Sequence, residues 1–87
     1  MKPEQIEGQI GRFVADSFLA DGAEPPASAD DLFALLDSLQ ILRTVVWVEE
    51  RFGVKVADED LTAENFRSVG RVAAFVAARP GSAAGTG

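Results

Sequence analysis

Apolar residues recur along the chain with helical rather than strand-like spacing. Ile6, Ile10, Phe13, Val14 and Phe18 fall on one side of a helix, with Gln5, Glu7, Gln9, Arg12 and Asp16 between them. Pro3 suits the first turn, where its missing N–H costs nothing. Gly8 and Gly11 each weaken such a helix by about 1 kcal/mol, so it is expected to depend on packing. DGAEPPASADD, residues 21 to 31, breaks the pattern, and Pro25-Pro26 favours an extended path. Asp30 or Asp31 can cap a short turn, LFALL. The strongest helical segment runs from Asp37 or Ser38 to about Phe52, and Gly53 supplies the usual stop. VKVADEDL reads as a short extended connector. Thr62 and Ser68 are N-cap residues, predicting a short helix to about Phe66 and a last one to about Arg79. Val69, Val72, Ala73 and Val76 form the inner stripe of that last helix, and Pro80 ends it. The small-residue tail, 81 to 87, is expected to be disordered. The fold class is therefore all-α: one domain over residues 1 to 80, a small four-helix bundle. Its third helix is short, and a long loop joins helices one and two.

The second helix sorts its own side chains. At 100° per residue, Ile41, Val45, Val48 and Phe52 stack on one face and are expected in the core. Leu39, Leu42 and Val46 lie to the side of that stripe, and the long loop can cover them as additional core. Trp47 falls opposite the stripe, near Gln40, Arg43 and Arg51. An outward tryptophan asks for cover, and packing against the long loop is expected, with a partner contact as the alternative.

Composition removes whole classes of chemistry. With 87 residues, the domain buries about 60% or a little more of its unfolded surface. There is no cysteine, so disulfides, thiolate metal sites and a cysteine nucleophile are excluded. There is no histidine, which removes the usual general base and the usual zinc ligand. No metal site is expected. A Ser38 hydrolase fails for want of histidine and of a GxSxG elbow, and nothing brings Lys2 or Lys55 near the serine. The chain reads as a non-enzyme. A net charge of −6 argues against nucleic acid and suits basic patches on partner proteins. No apolar run reaches the roughly 18 residues of a membrane span, and MKPEQIEGQI has no signal-peptide core. A soluble cytoplasmic monomer without membrane contact is expected.

The polar pair inside LLDSLQIL, residues 35 to 42, is the one local feature that asks for chemistry. Asp37 fits the N-cap, and Gln40 three residues later completes a capping box. Ser38 then has no backbone task. Its hydroxyl is expected to reach solvent at the positive end of the helix dipole, where a phosphate is favoured. From D-S-L alone the plain cap reading is the better one, since short motifs recur freely.

The surroundings extend the motif. DSL at the start of helix two, Glu49-Glu50, Phe52-Gly53 and the acidic turn into the last helices resemble an acyl carrier protein from about Ile6 to Arg79. The resemblance implies that Ser38 carries 4′-phosphopantetheine, attached by a phosphopantetheinyl transferase, with Asp37 and Leu39 flanking it. The missing cysteine is then coherent, because the working thiol belongs to the cofactor. It further implies docking through helix two, so that Leu39, Gln40, Leu42, Arg43, Val46 and Trp47 meet partner enzymes. On this reading Leu39 and Val46 stay partly exposed, and Leu42 is left open. Cargo held as a thioester would come from a loading ligase or acyltransferase and pass to downstream biosynthetic enzymes. Two departures separate the chain from fatty-acid carriers: Leu35-Leu36 replaces a glycine-containing stretch, and Gln40 and Arg43 stand where acids are usual. LLDSL with FGV and ENF is more similar to D-alanyl or aminoacyl carriers and to carriers of specialised-metabolite pathways of polyketide or nonribosomal-peptide type, antibiotic biosynthesis included. The alternative is a helical interaction module without a prosthetic group.

Overall fold

The computed structural model describes residues 2 to 79, all α-helical apart from turns and loops. The expected stop at Pro80 and the tail from 81 to 87 lie outside the described residues. In chain order the helices are α1 (Pro3–Phe18), α2 (Leu32–Leu35), α3 (Ser38–Phe52), α4 (Ala63–Phe66) and α5 (Val69–Ala78). LFALL is thus a one-turn helix rather than a bare turn, and a 3-10 turn, Asp58–Asp60, ends the connector. Neither changes the bundle.

Local signals set the boundaries. Asp37 caps α3 and Gly53 closes it in the left-handed conformation at φ 67°. The side chains of Asp31, Thr62 and Ser68 cap α2, α4 and α5 by accepting from Phe33 N, Asn65 N and Arg71 N. Each cap satisfies an amide that the first helical turn leaves without a carbonyl.

The core lies between α1 and α5. Ile6, Ile10 and Val14 meet Val69, Val72, Ala73 and Val76, all buried. Val45, Val48 and Phe52 close this layer from α3, while Leu32, Leu36, Val54 and Phe66 seal its ends. No buried side-chain polar atom among the described residues lacks a hydrogen-bond partner, as a close-packed interior requires.

The long loop is tied down at two glycines. Gly11 is buried because the loop crosses it: a Cβ there would lie 3.3 Å from Pro25 Cβ. A Cβ on Gly70 would collide with the Ser28 hydroxyl, and Gly70 N donates to Ser28 O at 2.9 Å. Gly11 therefore serves packing, which offsets its low helix propensity. Beyond the glycines, Leu32 N donates to Arg67 O at 2.7 Å and Asp31 pairs with Arg67 at 3.2 Å. These contacts fix α2 against the α4–α5 junction and so set the approach to α3.

Two expectations are corrected. Ile41 is half-buried rather than core, because α4 stops short of it and leaves an opening above Val45. Trp47 does not pack on the loop. It stacks on Phe13 of α1 with centroids 4.5 Å apart and meets Phe52 edge-on at 5.7 Å. A helix already lies where the loop was expected.

Candidate functional site

Asp37 and Ser38 divide the work at the start of α3. The Asp37 carboxylate accepts from Gln40 N at 2.8 Å, and the Gln40 side chain accepts from Asp37 N at 3.0 Å. Asp37 O also accepts from Ile41 N at 3.0 Å. The capping box is complete without Ser38. That leaves the Ser38 hydroxyl exposed and without a hydrogen-bond partner among the described residues. The Ser38 and Leu39 amides are also unpaired there, so the partial positive charge of the helix end faces outward beside the hydroxyl.

Around the serine the surface is apolar. Leu39, Leu42 and Val46 are 59%, 50% and 51% exposed. Leu42, left open by the sequence, therefore belongs to the surface. Gln40 is half-buried in the capping box, Arg43 is exposed, and Trp47 is half-buried against α1. All six docking candidates thus keep some accessible surface, arranged along the outer side of α3.

On the other flank of Leu42 a groove opens. Phe33, Leu36, Ser38, Ile41 and Leu42 line a cavity of about 410 Å³. It adjoins one of about 200 Å³, which shares Phe33, Ile41 and Leu42 and ends at Leu61, Ala63 and Phe66. Phe33 and Leu61 were not singled out from the sequence. Their signal was weak: Phe33 is one of five apolar residues in LFALL, and Leu61 is a single large apolar residue in the polar stretch EDLTA. A larger depression of about 730 Å³ lies elsewhere, between Gln5, Gln9, Arg12, Phe13, Asp16 and Trp47. It is shallow and open, and Ser38 does not line it, so it is not part of the site at the α3 start.

This arrangement offers an accessible hydroxyl next to a carboxylate that is engaged in the helix cap, and among the described residues there is no group of three or more His, Cys, Asp or Glu side chains placed to hold a metal. It suits a hydroxyl that another enzyme modifies. The family model for the phosphopantetheine attachment site matches residues 18–76. The chain is also similar to curated acyl carrier proteins. That of Rhodococcus erythropolis is 34% identical over 79 residues, 84% of this chain and 79% of the relative. That of an Exiguobacterium strain is 35% identical over 79 residues, 87% and 95% of the two chains. That of Kineococcus radiotolerans is 39% identical over 66 residues, 76% and 72%. The chain belongs to the acyl carrier protein family.

Membership accounts for the composition. The prosthetic group of this carrier is covalent 4′-phosphopantetheine, which supplies a thiol that the chain itself lacks. Among the described residues no helix is long and apolar enough to cross a membrane.

Proposed function

We propose that the arm is attached to Ser38, and that the chain is a non-enzymatic carrier which presents an acyl or aminoacyl cargo to successive enzymes of a specialised-metabolite pathway. The observation that carries this reading is the division of labour at the α3 start. Asp37 and Gln40 complete the capping box between themselves, so Ser38 has a free oxygen in solvent. Asp37 also keeps that oxygen at the first helical position, beside the two unpaired amides that favour a phosphate. When bound, the arm supplies a terminal thiol that holds cargo as a thioester. The chain's own part is to position the arm on a rigid helix and to offer Leu39, Leu42, Arg43 and Val46 as the surface beside it.

The pathway assignment is supported by what the first three turns of α3 lack. Residues 38 to 48 contain no carboxylate and one cation, Arg43, in a chain with 14 acidic residues. Such a surface selects different enzymes from those that read an acidic helix. The partners are then a phosphopantetheinyl transferase, a loading ligase or acyltransferase, and the enzymes that consume the cargo, all met in the cytoplasm. Intact and peptide-level mass of the protein isolated from its native cell tests this directly. A phosphopantetheinyl increment on the Ser38 peptide, with or without cargo, is expected. A uniformly unmodified protein, or the group on another residue, contradicts the assignment.

A further inference from the structure

Six large apolar side chains stay exposed among the described residues: Phe33, Leu35, Leu39, Leu42, Val46 and Leu61. All lie on α2, on the outer side of α3, or just before α4. One charged residue stands within the α3 part of this patch. Arg43 and Val46 help line a shallow depression with Phe13, Trp47 and Glu50.

Arg43 is the one arginine among the described residues with neither an ion pair nor a hydrogen bond. Arg12 pairs with Asp16, Arg67 with Asp31, and Arg79 with Asp60. Arg51 donates to Gln9 at 2.8 Å and Arg71 to the Glu64 carbonyl at 3.2 Å. A chain with 14 acidic residues has pairing partners in excess, yet Arg43 meets none of them. Glu50, two turns along the same side of α3, bounds the depression without pairing to it.

Resting on the carrier reading of Ser38, we infer that this patch docks an enzyme surface that is apolar and carries a carboxylate opposite Arg43. It disfavours the basic surfaces that the net charge of −6 would otherwise attract. Covering Leu39, Leu42 and Val46 strips water from the Arg43 guanidinium as well. An unmatched guanidinium at a dry interface is costly, and a basic partner adds like-charge repulsion. A carboxylate meets the guanidinium with two parallel hydrogen bonds, which also sets the orientation of docking. The acidic residues Asp58, Glu59 and Glu64 do not compete for that role. They flank Leu61, beyond Leu42, while Arg43 projects 100° further round the helix.

The test uses the full chain bearing its arm and the enzyme that loads it, purified from the source cell by following labelled cargo onto the carrier. Wild type, Arg43→Lys and Arg43→Glu are compared across a salt series. Arg43→Glu is expected to raise the KM for the carrier by roughly tenfold at low salt with kcat little changed, a gap that narrows as salt screens the pair. Arg43→Lys keeps the charge but loses the paired hydrogen bonds, and is expected to raise the KM by less than Arg43→Glu. An equal or lower KM for Arg43→Glu overturns the inference, because a basic or uncharged docking surface gives that result. Incubation of the same proteins with coenzyme A and a broad-specificity phosphopantetheinyl transferase separates the two readings. If all three gain the group and Arg43→Glu loads normally, the docking inference fails alone. If wild type stays unmodified, attachment at Ser38 fails and the docking inference fails with it.

Discussion

Val45 and Val46 are neighbours in the chain and 100° apart around α3. The first is buried at 6% exposure and the second is half exposed at 51%. The contrast extends to two whole regions. Where α1 meets α5, every large aliphatic residue is covered, and Gly11 and Gly70 let the loop close over the layer. On the outer side of α3 and on α2, residues of the same kind are left in water. Fully burying such a side chain is worth about 1.5–3 kcal/mol. A domain of this size is only marginally stable, so leaving several of them uncovered points to use by partners rather than to folding.

One substitution made in both regions tests that contrast. Ile10→Ala removes a fully buried side chain from the α1–α5 layer and is expected to cost about 3 kcal/mol. Denaturant unfolding measures it, and a loss below 1 kcal/mol would mean the layer is loosely packed. Asp37→Ala stands between the regions, since it removes the α3 cap but no apolar contact. It is expected to cost about 1 kcal/mol and to slow attachment of the arm, because the helix end that presents Ser38 frays. Leu39→Ala is expected to change stability by no more than about 0.5 kcal/mol while weakening loading by the cognate enzyme. A large loss of stability there would place Leu39 in the core and remove it from the docking surface.

The bounds of α3 were legible because they rest on local chemistry. Asp37, Gln40 and Gly53 act within a turn of their own positions, and so do Thr62 and Ser68. The inner stripes of α1 and α5 were legible from periodicity alone. Ile41 was misplaced because helical geometry gives its direction but not whether a neighbour arrives, and α4 is too short to cover it. Trp47 was misplaced for the converse reason: Phe13, 34 positions earlier, comes to stack on it. Gly11 read as a weak point in α1, while its close approach to Pro25 depends on the path of the loop. At the site, the roles of Asp37 and Gln40 and the exposure of Ser38 followed from spacing. The groove formed by Phe33 and Leu61 did not, since those residues converge from two turns far apart in the chain.

The most direct measurement sets wild type beside Ser38→Ala, each incubated with coenzyme A and a phosphopantetheinyl transferase and followed by intact mass and melting temperature. Alanine is the best helix former and the lost hydroxyl has no partner among the described residues, so the two proteins are expected to melt together. Wild type should gain one phosphopantetheinyl group and Ser38→Ala none. A modified Ser38→Ala, or a wild type that stays unmodified under conditions that load other carriers, would contradict the assignment of Ser38 as the point of attachment.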